Sequence, residues 1–342
     1  MKRIIAFALS VSLLVLSLVS CAPIQRASHS ITYDEYFNTV CTVQSYAEDT
    51  RSDFERVAEL CQSYLSRYHK LLDIYYEYSG VVNVMTLNKT AKNAPVEVSR
   101  ELFDFLVYCK QIYTITNGET NIAMGAVLKL WHDAREADEK YLPDRAALEA
   151  AGEHTSIDSL VLDADNLTVY YSDPELSLDV GAIAKGYVAE LLKSELENMG
   201  ITGYVLDIGK NLCLVGERAG GYPFGIKIPN PDKTSSEKYI VRVEIADTSL
   251  VTSGDYERFF TYEGKNYHHI IDKDTLMPSE YFSSVSVITD NSALADALST
   301  ALFSMTYDEG KALIERLGDI EALWVTREGE IFKSDGFDKY IA

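Results

Sequence analysis

At 342 residues the chain is long enough for one large domain or two ordinary ones with a full core. Its hydrophobic content of 47% and charged content of 24% are those of a water-soluble folded protein, and a net charge of -21 with no basic run excludes a nucleic-acid partner. An acidic surface also repels anions at long range, so a phosphate-bearing ligand must be held by local chemistry: backbone dipoles, a metal ion or a few lysines.

In chain order, Lys2 and Arg3 precede an uncharged apolar stretch from Ile4 to Val19, too short and too one-sided for a spanning helix. It ends in Leu18-Val19-Ser20-Cys21-Ala22, which resembles the lipobox of bacterial lipoproteins. That resemblance implies a signal peptide over residues 1–20, lipidation of Cys21 as the first mature residue, and a lipid-anchored tether over residues 21–35. The folded domain, residues 36–342, is then expected at the extracytoplasmic face of a bacterial cell membrane. The alternative is an ordinary secretory signal with an incidental cysteine. Cys41, Cys61, Cys109 and Cys213 fit no zinc spacing and no C-x-x-C pair, and suit either a disulfide or buried thiols.

From Asp49 to Tyr75 a helical period runs through Phe54, Val57, Leu60, Cys61, Tyr64, Leu65, Tyr68 and Leu72, with His69 inside it as a packing or surface residue. Gly80 to Asn83 reads as a turn. Ser99 caps a second helix through Leu102, Phe105, Leu106, Cys109 and Ile112, ended by Asn117-Gly118. Asn121 to Asp133 is helical, residues 135–153 hold a short helix stopped at Gly152, and Leu160–Leu162 with Leu167–Tyr171 form a hairpin. Next come an apolar strand to Asp179, a glycine turn, and a helix with Ile183, Tyr187, Leu191, Leu192 and Leu196 on its period. A strand over residues 203–208 follows.

Beyond Gly209 strands dominate: Leu212–Val215, Phe224–Ile228, Tyr239–Ile245, Leu250–Tyr256, Tyr267–Asp272 and Ser283–Thr289. An alanine-rich helix from Asn291 to Met305 and a helix–strand–strand tail complete the chain. The fold class is α+β, a single large domain built from two mixed subdomains, helix-rich early and sheet-rich late.

Four clusters are candidates for chemistry. Asp179-Val180-Gly181-Ala182-Ile183-Ala184-Lys185-Gly186 sets a glycine turn before a helix N-terminus, where backbone amides can meet a phosphate. It is neither a Walker A loop nor G-x-G-x-x-G, and a plain strand–helix junction has the same pattern. Thr252-Ser253-Gly254-Asp255-Tyr256 places hydroxyls and an acid at a strand end, a mix also found in simple turns. In His268-His269-Ile270-Ile271-Asp272 the pleat sends adjacent histidines to opposite faces, so at most one serves a given site, as a neutral base near pH 7. Asp296 and Thr300, at i and i+4 on one helix, share a face and can converge on a hard cation or simply face solvent.

In this order and content the clusters resemble the ApbE family, the FAD:protein FMN transferases, many of which are lipoproteins. The family marks D-x-G-[AG]-x-A-K-G-Y, G-x-N, S-G-D-Y-x-R-x-F, H-x-I-D and A-D-A-x-[AS]-T-A have their counterparts here. They stand as Asp179–Tyr187, Gly209-Lys210-Asn211, Ser253–Phe259, His269–Asp272 and Ala295–Ala301. The resemblance runs from Tyr36 to Phe332.

It implies an enzyme that takes FAD with Mg²⁺, transfers FMN to a Ser or Thr hydroxyl of an acceptor protein, and releases AMP. It further implies Mg²⁺ on the Ala182 carbonyl, the Asp296 carboxylate and the Thr300 hydroxyl. FAD contacts are implied for Asp179, Lys185, the Ile271 backbone and Ser253-Gly254-Asp255, and His269 as the base that takes the acceptor's proton. The implied partners are FAD and an acceptor flavoprotein, either a membrane redox subunit or an extracytoplasmic protein. Two segments depart from the family pattern. Leu276 replaces the glycine of P-x-T-G-x-P, so a reshaped turn is expected, and Asn121 stands in place of an aspartate. Three other readings use the same chain: an Mg²⁺-dependent FAD pyrophosphatase giving FMN and AMP, a flavin-binding lipoprotein without catalysis, and a transporter's substrate-binding lipoprotein.

Overall fold

A computed structural model describes residues 27–342. The expected signal peptide and the expected lipidation site at Cys21 therefore lie outside the described residues. Strands β1 (His29–Tyr36) and β2 (Thr39–Ser45) form a hairpin through Phe37 and Asn38, whose φ of 54° and 51° is the left-handed pair a tight turn needs. The tether expected through residue 35 thus gives way to strand at His29. Tyr33 and Tyr36 explain why: both are buried, and the Tyr33 hydroxyl donates to the Ala58 carbonyl at 2.9 Å.

The chain continues through α1 (Arg51–Leu72), α2 (Val84–Thr90), β3 (Val96–Glu97), α3 (Arg100–Ile115), α4 (Gly125–Glu136) and α5 (Arg145–Gly152). Then come β4 (Leu160–Asp163), β5 (Thr168–Tyr171), α6 (Ala184–Asn198), β6 (Tyr204–Ile208), β7 (Asn211–Val215), β8 (Phe224–Pro229) and β9 (Tyr239–Ile245). It closes with β10 (Ser249–Gly254), β11 (Phe259–Tyr262), β12 (Lys265–His268), β13 (Phe282–Thr289), α7 (Ser292–Phe303), α8 (Tyr307–Leu317), β14 (Glu321–Thr326) and β15 (Ile331–Lys333). Local signals account for the helix starts. Thr50 and Asp53 cap α1 reciprocally, and Ser99 and Asn291 accept from the third amide of α3 and α7.

An eight-stranded antiparallel sheet in the order β1-β2-β6-β7-β10-β13-β14-β15 is the frame. Helices α6 and α7 lie together on one face, with α1 against α6. The β8–β9 hairpin covers the other face through Phe224, Ile228, Val243 and Ile245. A smaller cluster joins α4 and α5 to the β11–β12 hairpin around Trp131, Phe260 and Leu276. The first two strands belong to the same sheet as the last ones, so the early and late halves are pinned into one body.

Two strand expectations change. The stretch before Asp179 is extended but joins no sheet; only Ser177 bridges to Met124, and Gly125 makes room for it, since a Cβ there would stand 2.5 Å from the Ser177 carbonyl oxygen. The strand expected over residues 267–272 stops at His268, because the Asp272 carboxylate accepts from the amides of Asp274 (3.0 Å) and Thr275 (2.7 Å) and folds the chain into a turn. Leu276 itself takes φ of 59°, and its side chain is buried beside Trp131, whose indole donates to the Leu276 carbonyl at 2.9 Å. All four described cysteines are buried free thiols. Among the described residues no helix is long and apolar enough to cross a membrane.

Candidate active site

Where α6 begins it crosses α7, and the crossing is made by a glycine. A Cβ on Gly186 would lie 2.4 Å from the Ser292 carbonyl oxygen and 2.5 Å from the Asp296 Cβ. This approach lets the Gly186 amide donate to Asp296 Oδ2 at 2.8 Å, so a side chain from α7 caps the N-terminus of α6. A carboxylate there is favoured by the helix dipole, an effect of about 0.3–1 kcal/mol at exposed ends and up to about 2 kcal/mol when partly buried. Lys185 reaches the same oxygen at 3.6 Å while donating to the Gly181 carbonyl at 3.2 Å. Even so, burial outweighs these partners and holds the Asp296 carboxyl above its ordinary value.

Around this crossing is a cleft of about 460 Å³, within the range of small-molecule sites. Asp179, Gly181, Ala182, Lys185, Ser253, Gly254, His269, Ile271, Asp296 and Thr300 all line it, so the turn after Asp179 and the late helix do meet. Asp179 Oδ1 accepts from the Gly181 amide at 2.9 Å, shaping the turn. Ser253 reaches α7 through a 2.8 Å contact between its hydroxyl and that of Ser299. Asp255 is the exception. It does not line the cleft; its amide donates to the Ser283 carbonyl at 3.1 Å, and its carboxylate feels Ser283 and Arg327 instead. Asn121 lines the cleft but is spent on structure, donating to the Thr155 carbonyl at 2.9 Å and accepting from the Ala123 amide at 2.9 Å.

The two adjacent histidines have separate fates. His268 is buried, with Nε2 at 2.8 Å from the Ser279 carbonyl and its ring edge-on to Phe303, so it is a packing residue away from the cleft. His269 borders the cleft and its buried Nδ1 has no protein partner. Burial first, then the charges of Arg258, His268, Arg135 and Lys185, push its pKa down to about 3, so the ring is neutral at pH 7.

The sequence alone did not single out Arg135, His132 or Asp73 for this cleft, and it marked Arg258 only within the segment Ser253–Phe259. Arg258 donates to the Asn38 carbonyl at 3.1 Å and so clasps the β1–β2 turn, while His69 Nδ1 accepts from the Phe37 amide at 3.2 Å. Asp73 accepts from the Tyr75 and Tyr76 amides and from the Tyr78 hydroxyl. Five cations, Arg135, Lys185, Lys210, Arg258 and Lys273, gather here in a chain whose 52 acids outnumber 31 bases. Lys210 pairs with Glu257 and Lys273 with Glu119, and the other three are the ones that depress His269. The oxygens of Asp296, Thr300 and Ala182 are hard donors of the kind Mg²⁺ or Ca²⁺ takes; among the described residues no group of three or more His, Cys, Asp or Glu is placed to hold a metal ion.

The ApbE family model matches residues 37–324. The chain belongs to the ApbE family. It is 31% identical over 281 residues to a Klebsiella pneumoniae protein named FAD:protein FMN transferase, covering 82% of this chain and 85% of that one. A Treponema pallidum protein of the same name is 29% identical over 331 residues, covering 93% of this chain and 90% of that one. Among solved structures, the ApbE protein of Thermotoga maritima superposes with a TM-score of 0.81 at 25% identity, over 92% of this chain and 99% of that one. The apo flavinyl transferase ApbE of Pseudomonas stutzeri gives 0.77 at 25% identity, over 91% and 96%. The α+β architecture is therefore that of ApbE proteins as a single domain.

Proposed function

We propose that this chain transfers FMN from FAD to a Ser or Thr hydroxyl of an acceptor protein, in the presence of Mg²⁺, and releases AMP. The observation that carries the reading is that Asp296, Thr300, Ala182, Lys185, Arg135, Arg258 and His269 share one cleft. Oxygen donors from Asp296, Thr300 and Ala182 suit Mg²⁺, which when bound supplies charge neutralisation at a diphosphate and polarises its phosphorus.

The chain's own groups do the rest. Lys185, Arg135 and Arg258 attract the diphosphate oxygens, and Asp179 and the Ile271 backbone border the nucleotide beside them. The acceptor oxygen forms a P–O bond to the FMN phosphorus, the P–O bond to AMP breaks with its electron pair on AMP, and the hydroxyl proton passes to a His269 ring nitrogen. A base with a pKa of about 3 is a poor one at neutral pH. Burial is the larger cause of that depression and the neighbouring charges the smaller, so an anionic diphosphate relieves only the part due to Arg258, Arg135 and Lys185.

The test is to incubate the protein with FAD, Mg²⁺ and a Ser/Thr-containing acceptor peptide and to weigh the products. A peptide heavier by FMN supports transfer. Free FMN with AMP and an unmodified peptide supports the pyrophosphatase reading instead, and intact FAD sinks both. We also infer lipidation at Cys21 and an extracytoplasmic, membrane-anchored location, supported by Leu18-Val19-Ser20-Cys21 after the apolar stretch. An acyl mass on the N-terminal peptide, lost in Cys21→Ser, tests it.

A further inference from the structure

We propose that Glu190 is a positioning residue: it fixes α7 on α6 and so holds Asp296 and Thr300 in place at the cleft. The inference rests on the reading that these two α7 residues serve the transfer. Helix α6 begins at Ala184 with no capping side chain of its own, since the residue before it is Ile183. The Gly186 amide is one of the four at a helix start that lack a partner within the helix, and Asp296 of α7 meets it. Helix α7 has the same shortage. Its cap, Asn291, accepts from the Leu294 amide at 2.8 Å, which leaves the Ser292 amide over. Glu190 Oε2 of α6 accepts from that amide at 2.6 Å. Each helix therefore caps the other.

The spacing decides what this exchange does. Glu190 lies one helical turn beyond Gly186, and Asp296 one turn beyond Ser292. A single hydrogen bond would let α7 pivot or slide about it. Two bonds a turn apart, donated in opposite directions, fix both the separation of the helices and their register. Lys193, buried and on the same face of α6 as Glu190, tightens this grip. Its Nζ donates to the Asp290 carbonyl at 3.3 Å, where the chain enters α7, and to the Asp247 carbonyl at 3.0 Å, ahead of β10. Asp296 and Thr300 stand one and two turns along α7 from Ser292, so a shift at the start of the helix is carried to both. Glu190 does not line the cleft, so it acts only through α7. Burial works against its charge and holds its carboxyl above the ordinary value. What the position uses is an acceptor oxygen of the right reach, not a negative charge.

The experiment compares the full chain with three variants. Glu190→Gln keeps an acceptor of the same reach, and Glu190→Met fills the space without one. Ser292→Pro removes the donor from the other side; the first helical position and the extended Asn291 before it both suit proline. Hydrogen exchange of the segment containing Gly186 is read by mass spectrometry on metal-free protein, thermal melting is recorded, and kcat and KM for FAD are taken with Mg²⁺ and acceptor peptide. In Glu190→Met and Ser292→Pro we expect the Gly186 amide to exchange about tenfold faster or more. In the same variants kcat should fall by about tenfold or more while KM for FAD changes by less than about twofold. Glu190→Gln should match wild type on all of these. Exchange at Gly186 that keeps the wild-type rate in both variants overturns the proposal, and so does an unchanged kcat. A lowered melting temperature with both unchanged makes Glu190 a stability residue only and overturns it too. Glu190→Gln as slow as Glu190→Met would make the charge the operative feature, again against the proposal. Wild-type protein that leaves FAD intact, while exchange at Gly186 still responds to the variants, overturns the functional reading instead, so the two failures are distinct.

Discussion

Replacing Gly186 with alanine sets two opposed effects against each other at one atom. In an exposed helix the change is worth about 0.8–1 kcal/mol of added stability. At this crossing the new Cβ would stand 2.5 Å from the Asp296 Cβ and 2.4 Å from the Ser292 carbonyl oxygen. Carbon atoms rest about 3.5–4.0 Å apart, so α7 must retreat from α6 by about 1 Å. Such overpacking costs about 1–3 kcal/mol, which outweighs the gain in helix propensity. The retreat also pulls Asp296 away from the Gly186 amide that holds it at 2.8 Å. Misplacing a reacting group by about 1 Å can cost about 10²-fold in rate. Urea unfolding and single-turnover FMN transfer measure the two effects separately. We expect lower stability by about 1–2 kcal/mol and transfer slowed by about 10²-fold. A variant that is more stable than wild type and equally fast would refute the claim that this glycine sets the α6–α7 distance.

Three further outcomes follow from the same geometry. Asp296→Asn keeps the shape but loses the charge, so Mg²⁺-dependent transfer should fall by about 10²-fold or more while the metal-free protein melts no lower than wild type; full activity would remove Asp296 from the site. His269→Ala should lose transfer yet still bind FAD, by fluorescence quenching, whereas His268→Ala should lower the melting temperature by emptying a packed, hydrogen-bonded position; the reverse pattern would exchange their roles. Burial pushes the carboxyls of Asp296, Asp179, Asp207, Asp255, Glu119 and Glu190 above their ordinary values. The native state then binds protons more tightly than the unfolded one. Their stability contribution is therefore full below about pH 4 and is lost as pH rises through the raised native values. Metal-free urea unfolding at rising pH should show this decline, and Asp296→Asn should flatten it; an unchanged slope would count against Asp296 as a contributor.

Much of this molecule was legible locally. Helical periods, with a cap at Ser99, predict α1, α3 and α7 within a few residues, because a helix is closed by contacts three and four residues away. The motifs at Asp179–Tyr187 and Asp296–Thr300 marked two parts of the cleft in the same way, since residues at i and i+4 share a helix face. The residues that sequence reading passed over are the ones whose meaning is non-local. Strand β1 looked like a tether because its partners, β2 and the Ala58 carbonyl, lie elsewhere in the chain. Arg135 belongs to no motif, and only the fold sets it with Arg258 beside His269 in the cleft.

By itself, then, the sequence determined the longer helices, the family and the chemical kinds of group available (hard oxygens, a few cations and a pair of histidines), and it missed α2. Only the tertiary structure decided which histidine faces the cleft, and that Asp255 stands outside it. It also decided that Asp296 caps a helix 110 residues away in sequence. The reason is the strand order. A sheet that sets β2 beside β6 and β7 beside β10 joins distant segments, and no periodicity along the chain encodes which of them will meet.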